Sequence, residues 1–159
     1  FPKTGMLFRD ISPLLESTEG MAQVVDQFAA HLSGFDTDLI AGIESRGFLF
    51  STLLASWLNI GSMMVRKPGK LPGNLLRAGY DLEYDTAELT IQQDAPIQGR
   101  SVLIIDDLLA TGGTMVAAKT LLESCGAVVT AGAVVIELVA LGGRAAWDLP
   151  LITLKAYDD

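Results

Sequence analysis

Residues 101–114 read "SVLIIDDLLATGGT": an aliphatic run, two adjacent carboxylates at Asp106 and Asp107, then a loop of threonine and glycine. Ala110, Thr111, Gly112, Gly113 and Thr114 bring two glycines and two hydroxyls to the start of a predicted helix. Backbone N–H groups there, aided by the positive end of the helix dipole, converge on a phosphate. Carboxylates repel phosphate, so the two acids need another partner. They accept hydrogen bonds from hydroxyls, and hydroxyls a few ångströms from a phosphate describe a sugar phosphate. A ribose 5-phosphate satisfies both halves, with Asp106 and Asp107 on the 2′ and 3′ hydroxyls and residues 110–114 on the 5′-phosphate. A lone acid after a strand reads equally well as a helix cap or turn residue; two acids followed by this loop do not.

Other uses of such a loop fit less well. The lysine of a GxxxxGK[ST] loop is missing and no GxGxxG pattern occurs, which counts against a nucleoside triphosphatase and a dinucleotide-dependent oxidoreductase. A receiver domain also ends a strand in paired acids but places them near its start, and here 52 residues follow Asp107. A haloacid-dehalogenase-like phosphatase spaces its acids by one residue and follows them with threonine, which is not the pattern here.

The remaining charge is uneven. The chain carries a formal net charge of −8, which argues against nucleic acid or an anionic membrane surface as partner. Arg66, Lys67, Lys70 and Arg77 nevertheless fall in one Pro/Gly-rich stretch, as expected for a small anionic ligand. Cys125 is the sole cysteine of the 159 residues, so no internal disulfide forms; it reads as a small apolar residue in a reduced, cytoplasmic setting. The longest apolar run, "AGAVVIELVAL", is interrupted by Glu137 and reads as a buried strand too short to span a bilayer. No signal peptide is visible, and the abrupt start at Phe1 suggests native residues before it.

The elements that must position these residues alternate. Residues 1–19 read as irregular, and Val24, Val25, Phe28 and Leu32 recur at helical spacing from Gly20 onward. "TDLIAGI" reads as a strand, "ESRGFLFSTLLASWL" as a loop entering a helix and "SMMVRK" as a strand. The segment from Pro68 reads as an exposed loop returning through a strand in "AELTIQ". "SVLIID", "AVVTAGAVVIEL" and "LITLKAY" are further strands, with a helix in "TMVAAKTLLESC". His31 reads as a surface or cap residue, Trp57 and Trp147 as packing residues. One domain over residues 1–159 follows: α/β, with a mostly parallel sheet flanked by helices. Ligands of such sheets sit at the carboxyl ends of the strands, which puts "ESRG", "RKPGK" and "DDLLATGGT" on one rim.

These segments resemble the type I phosphoribosyltransferases. "VLIIDDLLATGGT" is similar to their phosphoribosyl pyrophosphate motif; "FPKTGMLFRDISPLL", "IAGIESRGFLF", "VRKPGKLPG", "LEYDTAEL" and "VVIEL" narrow the resemblance to the adenine phosphoribosyltransferase family, over almost the whole chain and in order. The resemblance implies a purine salvage enzyme that transfers the phosphoribosyl group from phosphoribosyl pyrophosphate to adenine, giving AMP and pyrophosphate. It implies a small N-terminal hood over residues 1–19 and a mobile catalytic loop over 67–87. Glu44, Ser45 and Arg46 become the pyrophosphate loop, with a non-proline cis peptide expected at Glu44–Ser45, and Arg66, Lys67 and Lys70 add a clamp. Glu83 becomes the catalytic carboxylate, with Tyr84 beside it in the loop. Leu7, Phe8, Arg9 and Leu108 become the adenine pocket, partly through main-chain atoms. Mg²⁺ is implied, held mainly by substrate with no protein ligand fixed, and so is a homodimer. Asp85 departs from the glycine usual after "LEY" and puts loop closure in question. A transferase for another purine base, or a regulator that senses phosphoribosyl pyrophosphate, remain competing readings.

Overall fold

The computed structural model describes residues 8–82 and 85–158. Among these residues, seven strands and five helices follow in chain order: α1 Ser12–Leu15, α2 Thr18–Leu32, β1 Leu39–Ile43, α3 Gly47–Leu58, β2 Gly61–Val65, β3 Leu75–Asp81, β4 Thr86–Gln92, β5 Ser101–Leu109, α4 Gly113–Ser124, β6 Val128–Leu138, α5 Gly143–Ala146 and β7 Leu151–Tyr157. A 3₁₀ turn over Val139–Leu141 joins β6 to α5.

Five strands form one parallel sheet in the order β2-β1-β5-β6-β7. Its central members need apolar residues on both faces, and β1 is buried at all five positions. Alternate residues therefore feed two cores. Ile40, Leu103 and Ile105 pack with Val24, Val25, Phe28 and Leu32 of α2 and with Phe50 and Leu54 of α3. Ala41, Ile43, Val102 and Ile104 pack with Met115, Ala118, Leu121 and Leu122 of α4 and with Leu89 and Ile91 of β4. The expected α/β fold is thus three-layered, with α2 and α3 on one face and α4 with the β3–β4 ribbon on the other.

Local chemistry sets the ends. The Ser17 hydroxyl accepts the Gly20 N–H at 3.0 Å and starts α2 two residues before Gly20, so the first nineteen residues are not wholly irregular. Asn59 ends α3 in the left-handed region at φ 56°. His31 lies exposed with Nδ1 2.7 Å from Gln27 O, a surface role as expected.

Three further expectations change. The segment after Pro68 is more ordered than an exposed loop with one returning strand: Leu75–Asp81 pairs antiparallel with Thr86–Gln92, from Leu75↔Gln92 to Asp81↔Thr86. Arg66 and Thr90 tie this ribbon to the end of β2, through Arg66 N–H to Thr90 O at 3.0 Å and Thr90 N–H to Arg66 O at 2.7 Å. Second, β5 does not stop at Asp106 but runs through both acids to Leu109. Third, Trp147 is buried as expected, but Trp57 stands 64% exposed and is not a core residue.

Candidate active site

The chain leaves β1 through α3 on one face and β5 through α4 on the other, so a crevice opens above the adjacent ends of these two strands. The segments expected on one rim meet there.

Asp106 and Asp107 occupy the centre. They are 9% and 5% exposed, unusual burial for two adjacent acids, and each is tied down. Asp106 Oδ1 accepts the Asp107 N–H at 2.8 Å, and Arg46 Nε lies 2.8 Å from Asp107 Oδ2. Gly47, the first residue of α3, explains the close approach: a Cβ there would lie 3.0 Å from Ile105 O and 3.1 Å from Asp106 Oδ1. Burial first, and then the neighbouring Asp107 charge, push the Asp106 carboxyl well above its ordinary value.

The loop over residues 110–114 follows directly. Gly112 takes φ 87°, a conformation that favours glycine, and caps α4. The first turn of α4 carries no acid, so its unbonded N–H groups keep their positive potential. Tyr80 and Asp81 of β3 border the loop: a Cβ on Gly113 would lie 3.5 Å from Tyr80 Cβ and 3.5 Å from Asp81 O.

On the other side of the crevice, the Glu44–Ser45 bond is cis, as the resemblance implied. The Glu44 carboxylate faces the basic stretch: Oε2 accepts the Lys67 N–H at 2.7 Å, and Arg66 Nη2 lies 3.4 Å from Oε1. Burial pushes the Glu44 carboxyl up, but the Lys67 N–H, Arg66 and Lys70 outweigh it and hold it below its ordinary value. Arg66 Nη1 also donates to Lys70 O at 3.2 Å. Arg66 Nε is buried without a hydrogen-bond partner. Glu44, Arg66, Lys67 and Lys70 therefore form one group, with the carboxylate already engaged and the cations framing the rim.

The N-terminal segment closes the third side. The Arg46 guanidinium lies 5.8 Å from the Phe8 ring, which links Phe8 to the acid pair through one side chain. Arg9 stacks on Tyr157 at 4.0 Å, and Tyr157 and Leu108 belong to the same apolar cluster. Leu7, Glu83 and Tyr84 lie outside the described residues. The flanks of Glu83 and Tyr84 are joined: Leu82 N–H donates to Asp85 O at 2.7 Å, and Asp85 Oδ1 accepts the Thr86 N–H at 2.8 Å.

A family model for the phosphoribosyl transferase domain matches residues 14–150. The adenine phosphoribosyltransferase of Rhodospirillum centenum is 50% identical over 158 residues, spanning 99% of this chain and 92% of that one. The chain belongs to the adenine phosphoribosyltransferases. Solved members of the family superpose closely. The enzyme of Thermoanaerobacter pseudethanolicus gives a TM-score of 0.94 at 43% identity, covering 98% of this chain and 91% of that one. The Saccharomyces cerevisiae enzyme, complexed with D-2,5-dideoxy-2,5-imino-altritol 1,6-bisphosphate and adenine, gives 0.92 at 40% identity, covering 97% and 90%.

Two parts of this adenine phosphoribosyltransferase rim escaped the sequence reading of individual sites. In the sequence Gly47 is only one residue of "ESRG", whereas in the structure it lets the loop touch β5. Glu137 reads as an interruption in an apolar run; in the structure it is a buried carboxylate paired with Arg144 on the same rim.

The raised Asp106 pKa has a consequence for stability. A carboxyl whose folded value exceeds its unfolded value binds more protons when folded, so it costs stability as pH rises from its ordinary 3.8 towards the folded value. Asp106→Asn should therefore raise the melting temperature at neutral pH, with the gain shrinking as pH falls towards 3.8. Thermal melts across that range check this; a gain independent of pH, or a loss at neutral pH, would contradict it.

Proposed function

We propose that the protein joins adenine to phosphoribosyl pyrophosphate, releasing AMP and pyrophosphate, and that the rim described above is its active site. The observation that carries this reading is the buried Asp106–Asp107 pair running directly into the α4 phosphate loop, with cations across the crevice. Family membership supplies the base and the donor; the geometry is consistent with the roles proposed below.

In this reading Asp106 and Asp107 accept hydrogen bonds from the ribose hydroxyls, and Ala110 to Thr114 receive the 5′-phosphate. Main-chain groups of Glu44, Ser45 and Arg46, with the side chains of Arg46, Arg66, Lys67 and Lys70, receive the pyrophosphate. Arg46 then has two duties, as counter-ion to Asp107 and as ligand for the leaving group. Phe8, Arg9, Leu7 and Leu108 enclose adenine. As N9 of adenine bonds to C1′, the C1′–oxygen bond breaks and its electron pair leaves with pyrophosphate. C1′ is cation-like at that moment, so fixed alignment and neutralisation of the departing charge contribute most of the acceleration. Glu83 takes the N9 proton, with Tyr84 packing beside it. Closure of residues 67–87 carries Glu83 in, and the hydrogen bonds of Asp85 on either side suit that task.

Mg²⁺ suits this chemistry. Among the described residues no group of three or more His, Cys, Asp or Glu could hold a metal, in keeping with an ion held mainly by the substrate's own oxygens. Magnesium in phosphate sites keeps several waters and takes few protein ligands, so the diphosphate and ribose oxygens of the substrate would supply most of its shell. Bound there, it would neutralise charge on the leaving pyrophosphate.

A homodimer fits the exposed face of α3. Leu49, Leu53 and Trp57 recur every four residues along it and are 46%, 41% and 64% exposed. Such a continuous apolar stripe suits a surface that a second copy covers. It begins one turn after Arg46, so the covering copy would abut the pyrophosphate loop. No helix among the described residues is long and apolar enough to cross a membrane, and the single cysteine suits a reduced, cytoplasmic setting.

The direct test supplies phosphoribosyl pyrophosphate, with and without Mg²⁺, and offers adenine, hypoxanthine, guanine and xanthine separately. AMP from adenine alone, dependent on the ion, is the expected result. Product from another base would overturn the adenine pocket, and binding without turnover would leave a sensor. Glu83→Gln should lower kcat while leaving the KM for phosphoribosyl pyrophosphate nearly unchanged; equal losses in both would remove Glu83 from the proton-transfer role. Trp57→Glu with Leu53→Glu should shift the sizing profile to a monomer, and an unchanged profile would place the dimer face elsewhere.

A further inference from the structure

The turn after β6 touches no atom expected to react, yet it forms the floor of the phosphate loop. Gly112 and Gly143 meet backbone to backbone: a Cβ on Gly112 would lie 2.6 Å from Gly143 O, and one on Gly143 would collide with the Ala110 carbonyl and approach Gly112 N to 3.0 Å. Any displacement of Gly143 is therefore transmitted to residues 110–112 without a side chain to absorb it.

Arg144 fixes that turn. Its Nε donates to Glu137 Oε1 at 2.9 Å and its Nη2 to Glu137 Oε2 at 2.5 Å, the two-point geometry that makes guanidinium–carboxylate pairs directional. Nη2 also donates to the Thr153 hydroxyl at 2.9 Å, and that hydroxyl donates to Glu137 Oε2 at 3.1 Å. Glu137 is 4% exposed and pairs in register with Leu109, the residue just before the loop. The hydrogen bonds from Arg144 outweigh burial and hold the Glu137 carboxyl below its ordinary value. Beyond the turn, Trp147 is buried against Gly132, and Asp148 lies 3.6 Å from Lys119 of α4. The segment is thus pinned to β6, β7 and α4 at once.

We propose that Glu137 and Arg144 are positioning residues for the phosphate loop: their ion pair sets Gly143, and through it the N–H groups of residues 110–114. This rests on the reading of those residues as the 5′-phosphate site. The pair touches no substrate and acts through the backbone contact alone, so its loss should weaken ligands that carry a 5′-phosphate and spare those that do not.

The test compares Arg144→Ala, Arg144→Lys and Glu137→Gln with Thr111→Val, a direct change in the loop, by steady-state kinetics and by binding of AMP and adenosine. Arg144→Ala should raise the KM for phosphoribosyl pyrophosphate and the Kd for AMP about tenfold while kcat and adenosine binding hold, as expected for a displacement of the loop. Arg144→Lys, with a single ammonium nitrogen in place of a planar fork, should recover part of the loss. Glu137→Gln keeps the shape and should move the same constants in the same direction, which preserves the test if Arg144→Ala does not fold. Equal losses for AMP and adenosine would mean general damage and would overturn the proposal. Thr111→Val weakening AMP while the Arg144 and Glu137 variants do not would overturn it and leave the phosphate loop standing. No effect from any of the four would overturn the loop reading itself.

Discussion

Two buried, adjacent carboxylates are the constraint around which the rest of the molecule is arranged. Removing Asp106 and Asp107 from water is unfavourable unless each finds a donor, and the fold supplies donors from separate elements: the Asp107 N–H from β5 itself and the Arg46 guanidinium from the loop after β1. Gly47 is small because that loop must lie against β5. The same crowding keeps Asp106 reluctant to ionise, so a ligand hydroxyl donating to it would relieve a cost already present in the folded protein. In the proposed reading, stability is given up at the place where the ribose binds.

The surrounding architecture follows from placing charge around that pair. The parallel sheet delivers two loops to one rim because neighbouring strands β1 and β5 send their chains to opposite faces. Glu44 draws Arg66 and Lys67 towards the same rim, at the end of β2. The β3–β4 ribbon crosses from there to α4 and is anchored at one end by buried Leu89 and Ile91. On the far side, Glu137 and Arg144 brace the turn under Gly112. Asp106, Asp107, Glu44 and Glu137 are each engaged by a cation or a backbone N–H, while the first turn of α4 carries no acid.

Much of this was legible in the residues. Adjacent acids followed by "ATGGT" carry their chemistry in their spacing, and β1, β5 and β6 announce themselves as continuous apolar runs because both faces are covered. The β3 strand did not, since Arg77 and Gly79 interrupt its pattern and Pro/Gly-rich residues precede it; only its pairing with β4 makes it a strand. Trp57 reads as core by residue type, and no single sequence says whether a large apolar side chain is covered by its own chain or by another. Glu137 and Arg144 are seven residues apart across a turn, a separation at which no periodicity predicts contact; the backbone collision between Gly112 and Gly143 is a tertiary fact.

The central claim is that one rim reads ribose hydroxyls with Asp106 and Asp107 and a phosphate with residues 110–114. Calorimetric titration with ribose 5-phosphate, 2-deoxyribose 5-phosphate and ribose measures both halves separately. Hydrogen bonds to ionised carboxylates contribute about 1.5–3 kcal/mol, so loss of one hydroxyl should weaken binding by about tenfold or more, and loss of the phosphate should weaken it further. Equal affinity for the ribose and deoxyribose phosphates would contradict the account, because two buried acids would then be held against water for a ligand that does not use them.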